Sequence, residues 1–244
     1  MKKLKTSLPK VLVATTVYED KDYIFDKFLD NARNLDYPNF HVLIVDNSKT
    51  RDYYKVLKKK TKNMDNVTIV HVPRGKHSRE GVANGLNYIR DYVINNDYDY
   101  WMSIESDLIP PKNIISRLMM HQKPIVGCMY VIGYIDNEKQ PPRPCLFQLR
   151  RQKNGELETY NLPPQEGYEY FGKGLTKVHG CGIGTALMHK FLLKKIKFWY
   201  MDSQIKHSDV FMYMDLHNMG YDVWLDSDII IPHYNSKWDN VKDI

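Results

Sequence analysis

Short apolar runs alternate with amphipathic stretches along the first half of the chain. The apolar runs predict β-strands at Val11–Ala14, Phe40–Val45, Val67–Val72 and Tyr100–Ile104. The intervening stretches carry apolar residues at helical spacing and predict helices at Tyr23–Asn34, Arg51–Thr61 and Gly81–Asn95. Strands that alternate with helices pair in parallel, with helices on both faces, so the pattern predicts an α/β fold with a mostly parallel sheet.

The second half has a less regular pattern. Asn154-Gly155 predicts a hairpin turn between short strands, and Gly167–Gly184 is rich in glycine and aromatic residues. The remaining pattern predicts helices at Thr185–Ile196 and Asp209–Met219 and a strand at Asp222–Asp226. No linker separates the halves, so we expect a single globular domain over residues 1–244 whose two halves share one sheet.

Polar residues follow three of the predicted strands. Thr15 follows the first, Asp46 the second and Glu105-Ser106-Asp107 the fourth. In sheets of this kind the ligand lies outside the carboxyl ends of the strands. These side chains are therefore predicted to gather at one edge of the sheet and to form a ligand site there.

Glu105 and Asp107 form an acidic pair directly after a strand of buried type. Two carboxylates at this spacing can converge on one divalent ion, and hard oxygen ligands suit Mg²⁺ or Mn²⁺. The alternative is that the acids decorate a turn or cap a helix predicted at Asn113–Met120, after Pro110-Pro111. The pair alone does not decide between these interpretations.

Composition narrows the choice of partner and compartment. The formal net charge of +6 favours anionic ligands, but no nucleic-acid recognition motif is present. The 3 cysteines include no CxxC pair, which argues against a disulfide framework or a zinc cage and fits a reducing cytoplasm. No apolar run approaches the ~20 residues of a membrane span. We therefore expect a soluble, cytoplasmic protein with no transmembrane segment and no nucleic-acid partner.

Four segments in this order resemble the inverting glycosyltransferases of family 2, which have the Rossmann-like GT-A fold. They are Val11–Asp20, Val45–Ser48, Arg79–Leu86 leading into Tyr100–Asp107, and Ser208-Asp209 followed by Gly220-Tyr221. Two motifs depart from the family pattern. The acidic motif is Glu-Ser-Asp where the family has Asp-x-Asp, and Ser208 stands where the family has a glutamate, so only Asp209 carries over.

The resemblance implies transfer of a sugar from a nucleotide diphosphate sugar, expected to be a UDP-sugar, to a hydroxyl of a glycan, lipid-linked or other acceptor. Residues up to about 110 would bind the nucleotide sugar, and residues from about 111 would face the acceptor. Mn²⁺ or Mg²⁺ would be the cofactor, held by Asp107, Glu105 and His233. The nucleotide sugar would be bound by Thr15, Val17, Glu19, Asp46, Arg79, Asn84 and Ser106. Asp209 would be the general base, and its position implies inversion at the sugar carbon.

Several interpretations remain open at this level. His233 could be an ordinary loop histidine and Asp209 a helix N-cap. Arg79 and Lys76, placed in a loop after the third strand, could bind a diphosphate or be solvated. The glycines of Gly180–Gly184 are interpreted as letting the backbone approach the sugar or acceptor.

Two other functions compete with sugar transfer. One is a GT-A module that binds nucleotide sugars or glycans without turnover, which the two motif departures permit. The other is a sugar nucleotidyltransferase, which is disfavoured because the loop Thr15–Asp20 contains neither glycine nor a cationic residue.

Overall fold

The protein is built around a mixed β-sheet with helices on both faces, seen here in a computed structural model that describes residues 8–133, 141–204 and 206–234. The strands are β1 (Val11–Val17), β2 (Phe40–Asp46), β3 (Val67–His71), β4 (Tyr100–Ile104), β5 (Ile125–Met129), β6 (Val131–Ile132), β7 (Arg143–Pro144), β8 (Leu146–Arg151), β9 (Leu157–Asn161), β10 (Leu175–Val178), β11 (Gly180–Cys181), β12 (Thr185–His189) and β13 (Val223–Ile230). The helices are α1 (Asp22–Arg33), α2 (Asp52–Lys60), α3 (Ser78–Asn95), α4 (Ile114–Met120), α5 (Pro164–Tyr168), α6 (Lys190–Leu193) and α7 (Ser208–Asn218), with a short 3₁₀ helix at Glu19–Lys21.

The main sheet has eight strands in the order β10-β13-β5-β12-β4-β1-β2-β3. Strands β3, β2, β1 and β4 run parallel to one another, and β5 runs parallel to β13. Strand β12 is antiparallel to both β4 and β5, and β10 is antiparallel to β13. The predicted α/β fold with a mostly parallel sheet is confirmed, and both halves of the chain contribute strands to that sheet.

The predicted helix Thr185–Ile196 is wrong. Residues Thr185–His189 form the inner strand β12, and only Lys190–Leu193 is helical. All residues of β12 except His189 are buried, because sheet neighbours and helices cover both faces. A strand buried on both faces shows no alternation of apolar and polar residues, so its sequence resembles that of a buried helix. The same applies to β5, which was not predicted and whose residues are all buried.

Two local boundaries also differ from expectation. Strand β1 continues through Val17, so Thr15 lies inside the strand and not in the loop after it. Arg79 lies in the first turn of α3 and not in a loop, whereas Lys76 does precede the helix. Helix α3 begins earlier than predicted because the His77 side chain caps it, with Nδ1 accepting the backbone N–H of Glu80 at 3.2 Å.

Alternate residues of each inner strand face two separate apolar layers. In β1, Val11 and Val13 pack with α1, α2 and α4 on one face, whereas Leu12 and Ala14 pack with α3, α6 and α7 on the other. This is the two-residue period of a strand, with apolar residues in both phases. The sheet is therefore covered on both sides, and functional groups can reach solvent at the strand ends.

Smaller sheets lie beside the main one. Strands β11, β8 and β9 form a three-stranded antiparallel sheet, and β6 pairs with β7. The predicted hairpin is confirmed, since β8 and β9 join through a turn in which Gly155 has a φ of 87°. Within the described ranges, none of the helices has the length and apolar character that crossing a membrane requires.

Candidate functional site

The acidic motif forms a tight turn at the carboxyl end of β4. The Glu105 N–H donates to the Gly184 carbonyl at 2.7 Å, and the Leu108 N–H donates back to the Glu105 carbonyl at 3.0 Å. These bonds end the strand and turn the chain, so that Ser106 and Asp107 are buried while Glu105 reaches solvent. The turn places both acidic side chains at the predicted edge of the sheet.

The segment that carries His233 runs directly beside this turn. Leu108 and His233 form an antiparallel bridge, and the Tyr234 N–H donates to the Asp107 carbonyl at 2.8 Å. His233 Nε2 lies 3.3 Å from Asp107 Oδ2, and His233 Nδ1 lies 2.7 Å from the Val131 carbonyl oxygen. Two of the three side chains predicted to bind metal are thus brought into contact across 126 positions of sequence.

Opposite charges determine the protonation of this pair. Burial alone would raise the pKa of Asp107, but the His233 hydrogen bond and the Lys21 charge lower it. Burial alone would lower the pKa of His233, but its bond to Asp107 raises it. In both residues the interaction favours the charged form, because each charge compensates the desolvation of the other.

The pKa of Glu105 is shifted in the opposite direction to that of Asp107. Desolvation, followed by the negative charge of Asp107, raises the pKa of Glu105 to about 7. Glu105 nevertheless keeps contact with solvent. A cation bound there would favour the carboxylate form of Glu105.

Asp107 and His233 fit a divalent ion as two neighbouring ligands. Adjacent ligands of an octahedral ion with ~2.1 Å bonds lie roughly 3 Å apart, close to the 3.3 Å between Asp107 Oδ2 and His233 Nε2. The bond from His233 Nδ1 to a backbone carbonyl is the usual arrangement for a metal-binding histidine, because it leaves Nε2 as the ligand atom. Over the described parts of the chain, however, no group of three or more His, Cys, Asp or Glu side chains has metal-binding geometry. Glu105 therefore does not complete the predicted set of three in this structure.

Asp209 lies in the first turn of α7, near the acidic turn. His207 is the N-cap of this helix, so the alternative that Asp209 is the N-cap is wrong. Asp209 Oδ1 accepts the Val210 N–H at 2.8 Å. Desolvation raises the pKa of Asp209, against the opposing charge of His207 and backbone hydrogen bonds from Val210 and Ile183. The Asp209 charge also raises the pKa of Glu105, which shows that the two carboxylates are close.

Asp46 is fully buried at the carboxyl end of β2. Its Oδ1 accepts the Ser48 N–H at 3.0 Å, and its Oδ2 lies 2.6 Å from His71 Nδ1, which donates to it. Both carboxylate oxygens are thus bound by protein groups, and contact of Asp46 with a nucleotide stays a prediction. Sequence analysis missed His71, although it ends β3 directly opposite Asp46 in the parallel pairing.

Two buried polar atoms lack partners after β2 and at the start of α3. They are Asn47 Oδ1 and Arg79 Nε, which make no hydrogen bond within the described structure, whereas the Ser48 side chain bonds Glu19. A Cβ atom on Gly85 would lie 2.5 Å from Thr16 Cγ2 and 2.8 Å from Asn47 Oδ1, so α3 packs closely against this edge. An unpaired buried polar atom costs about 1–3 kcal/mol, so each calls for a partner such as water, an ion or a ligand.

The other residues predicted to bind the nucleotide sugar have varied surroundings. Thr15 and Val17 are buried in β1, with Thr15 Oγ1 donating to the Thr16 carbonyl at 3.1 Å. Ser106 is buried in the acidic turn, Glu19 is exposed in the 3₁₀ helix, and Asn84 is exposed on α3. The structure brings Thr15, Val17, Asp46 and Ser106 to neighbouring strand ends, and their contacts with a ligand stay predictions.

The glycine-rich loop does not present an open backbone at Gly180 and Gly182. A Cβ atom on Gly180 would lie 2.1 Å from Phe147 Cζ, and one on Gly182 would lie 1.8 Å from the Tyr130 hydroxyl. The interpretation that these glycines admit a sugar or acceptor is wrong, since aromatic side chains of the protein fill the space. Gly184 lies against the acidic turn, because a Cβ atom there would lie 2.9 Å from Glu105 Cδ.

A separate cavity of about 320 Å³ lies at the other end of α7. Its walls include Phe147, Tyr170, His179 and His217. His217 lies eight positions after Asp209 in the same helix, which places the two Cα atoms roughly 12 Å apart. Of the residues that the sequence analysis singled out, Gly180 and Tyr221 line this cavity, whereas the predicted metal ligands and the predicted base do not.

Comparison with known proteins gives both a family and a fold. The family described as Glycosyl transferase family 2 matches residues 13–197. The mannosyltransferase PcManGT from Pyrobaculum calidifontis, solved in complex with GDP-Man and Mn²⁺, is 15% identical with a TM-score of 0.60, over 94% of this chain and 58% of that one. S. aureus TarS 1-349 is 14% identical with a TM-score of 0.54, over 91% of this chain and 59% of that one.

A third structure, GalNAc-T7 with UDP, GalNAc and Mn²⁺, is 10% identical with a TM-score of 0.59, over 93% of this chain and 44% of that one. The chain therefore spans less than two thirds of the length of these three structures. No curated protein sequence matches it. At such low identities the structural likeness shows the fold, and the family match, which covers most of the chain, shows the family. The chain belongs to glycosyl transferase family 2 and has the GT-A fold.

Proposed function

We propose that this protein transfers a sugar from a nucleoside diphosphate sugar to an acceptor hydroxyl, with a divalent ion at Asp107 and His233 and with Asp209 as general base. The observation that supports this most is the contact of Asp107 with His233 beside Glu105 and Asp209 at the carboxyl end of β4. A bound Mn²⁺ or Mg²⁺ would supply Lewis-acid stabilisation of the departing diphosphate. The similar folds solved with GDP-Man and with UDP, each with Mn²⁺, agree with this chemistry.

The residues of the chain divide the remaining work. Asp107 and His233 would hold the ion from a buried position, with His233 fixed by the Val131 carbonyl. Asp209 accepts the proton of the acceptor hydroxyl, and its raised pKa makes it a stronger base than an exposed aspartate. One base opposite the leaving group gives inversion. Asn47 and Arg79 provide unpaired polar atoms that a nucleotide sugar would satisfy.

The finer parts of the proposal rest on the family resemblance. We propose a UDP-sugar as donor, a glycan, lipid-linked or other hydroxyl as acceptor, and the cytoplasm as location. Residues up to about 110 form the nucleotide-sugar half of the domain, and residues from about 111 form the acceptor half. A binding module without turnover is the second candidate, and the lack of a three-residue metal cluster among the described residues is the observation that favours it.

Thermal melting tests the sugar-donor site directly. The protein is melted with UDP, GDP, dTDP or CMP, each with Mn²⁺, with Mg²⁺ or with EDTA. Ligand at a hundred times its dissociation constant adds about 2.7 kcal/mol, which for a domain of this size raises the melting temperature by roughly 5–10 °C. We expect a metal-dependent rise with one nucleotide that disappears in Asp107→Ala and persists in Asp65→Ala, a change at an exposed acid in a loop. No rise with any nucleotide would refute the proposed sugar-donor site.

A further inference from the structure

Lys21 forms an ion pair with Asp107 that the proposed chemistry does not use. It ends the 3₁₀ helix after β1, and its ammonium contacts Asp107 Oδ2. The Lys21 side chain is 28% exposed, whereas the Asp107 side chain is 5% exposed. A partly exposed cation thus compensates a carboxylate that has almost no access to water.

The oxygen that Lys21 contacts is also the one that faces His233. Asp107 Oδ2 lies 3.3 Å from His233 Nε2 and carries the Lys21 ammonium as well. A divalent ion bound at Asp107 and His233 would meet this ammonium at close range. Two cations at such a distance in a poorly hydrated site repel each other strongly, so both cannot occupy Oδ2.

We propose, building on the proposed function, that Lys21 is an internal counter-ion that holds Asp107 when no metal is bound, gives up this oxygen to the metal, and then binds the diphosphate of the sugar donor. A lysine suits this exchange, because its ammonium is a point charge on a flexible four-carbon stem. The partial exposure of Lys21 leaves room for the movement, whereas Asp107 is fixed by its backbone contact with Tyr234.

The proposal makes two linked predictions with opposite signs. Without Lys21, Asp107 has no competing cation, so Mn²⁺ alone binds more tightly. Without Lys21, the diphosphate loses one cationic partner, so UDP or GDP binds less tightly at saturating Mn²⁺. If the ion pair had a purely structural role, its loss would instead lower the stability of the protein and leave both affinities unchanged.

Binding of Mn²⁺ to Lys21→Gln, followed by electron paramagnetic resonance, tests the first prediction without any activity assay. We expect the dissociation constant for Mn²⁺ alone to fall about tenfold or more, because a full charge beside the ligand oxygen is removed. At saturating Mn²⁺, calorimetry with UDP and GDP is expected to show a roughly tenfold weaker affinity for the nucleotide that wild type prefers.

Two further variants separate direct competition from a general loss of positive charge. Lys60→Gln removes a lysine that pairs with Asp22 and Asp26 on α1 and not with Asp107, so both affinities should stay near wild type. Lys21→Arg keeps the charge and should bind Mn²⁺ as weakly as wild type. Equal Mn²⁺ affinity of wild type and Lys21→Gln, or unchanged nucleotide affinity, would overturn the inference.

The outcomes also distinguish this inference from the proposed function. If wild type binds neither Mn²⁺ nor either nucleotide, both proposals fail. If wild type binds both ligands and Lys21→Gln binds them identically, only the role of Lys21 fails. Should Lys21→Gln be unfolded without metal, refolding by Mn²⁺ would show that the ion replaces the ammonium, and no refolding at any Mn²⁺ concentration would refute the exchange.

Discussion

At the scale of single residues, the site combines carboxylates whose pKa values are shifted in opposite directions. Asp107 is kept ionised by Lys21 and His233, whereas desolvation raises the pKa of Glu105 to about 7 and also raises that of Asp209. Carboxylates whose pKa values are driven apart can divide the roles of cation ligand and proton acceptor. The environment of each side chain, and not its residue type, makes this division.

Replacing Asp209 by Asn tests its role as proton acceptor. The amide keeps the shape of the side chain but cannot accept the proton, so kcat of sugar transfer should fall about 10²–10⁴-fold. Nucleotide binding should persist, because the hydrogen bonds of the Asp209 side chain within the described residues come from backbone N–H groups and not from the predicted nucleotide-binding residues. Transfer rates and melting shifts with the preferred nucleotide give the two readouts. A variant that retains full activity would remove Asp209 from the mechanism.

His71→Phe tests the buried partner of Asp46. The phenyl ring keeps most of the volume but removes the N–H that donates to Asp46 Oδ2 at 2.6 Å. The buried carboxylate is left with an unpaired oxygen, which should lower the free energy of unfolding by about 1–3 kcal/mol. Urea denaturation measures the loss. His41→Phe, at a half-buried histidine of β2 bonded to Thr68, should cost less, and equal costs would contradict the special role of His71.

The predicted metal ligands carry signals in the sequence, whereas the side chains that pair with the site residues do not. Asp107 and His233 could be named because a strand end and a family pattern point to each of them. Lys21 and His71 could not, because a lysine in a helical turn and a histidine in a strand carry no local signal of their function. Their roles come from distances to Asp107 and Asp46, which only the folded chain defines.

At the scale of elements, β12 and α6 meet at a titratable residue. His189 ends the strand and caps the helix, with its Nδ1 accepting the Phe191 N–H at 3.1 Å. Desolvation, together with the Lys190 charge and against that of Asp99, lowers the pKa of His189. Protonation would also replace the accepting nitrogen by a donor, so the cap requires the neutral ring.

The pH dependence of stability follows from this cap. Because the pKa of His189 is lower in the folded than in the unfolded chain, where it is near 6.5, its contribution is present above that pH. It is lost as the pH falls through the folded pKa, since the unfolded chain then binds more protons. In His189→Asn, which keeps a capping side chain without titration, the unfolding free energy should fall less between pH 7 and pH 5. A slope identical to wild type in urea titrations would refute this.

Most helices and the strands of the first half were predicted well, including β2 and β4, in which nearly all residues are buried. Helices α1, α2 and α7 and strands β2 and β4 agree with prediction to within one or two residues. Strands β5 and β12, which were missed or mistaken, are buried on both faces and lack the periodicity on which the prediction depends. Burial of both faces removes one sequence signal, but it does not by itself cause the error, because β2 and β4 are similarly buried and were predicted.

At the scale of the whole molecule, the two halves of the chain are joined through β12. Strands β1 to β4 come from the first half, yet β4 pairs with β12 from the second. The acidic turn after β4 is held by the Gly184 carbonyl just before β12, so the site is formed jointly. A division near residue 110 describes proposed ligand roles and not separate folding units.

A truncated chain tests this joint construction. Residues 1–122 contain β1 to β4 and α1 to α4 but lack β12, so one edge of β4 has no partner. An unpaired, apolar strand edge is a template for association with other chains. We expect this fragment to elute as oligomers or to precipitate, whereas residues 1–244 should elute as a defined species. A stable, monomeric fragment with native circular dichroism would show that the first half folds independently.

The place of β12 between β4 and β5 also has a consequence for synthesis on the ribosome. Strands β4 and β5 are made first, and β12 begins at Thr185, 56 positions after β5 ends at Met129. At a translation rate of ~5–20 residues per second, the position between β4 and β5 stays unfilled for roughly 3–11 s. During that interval a nascent chain offers two open edges to any neighbouring strand, including those of chains on the same messenger. Chaperone demand should therefore peak before residue 185 is translated and fall once β12 fills this position.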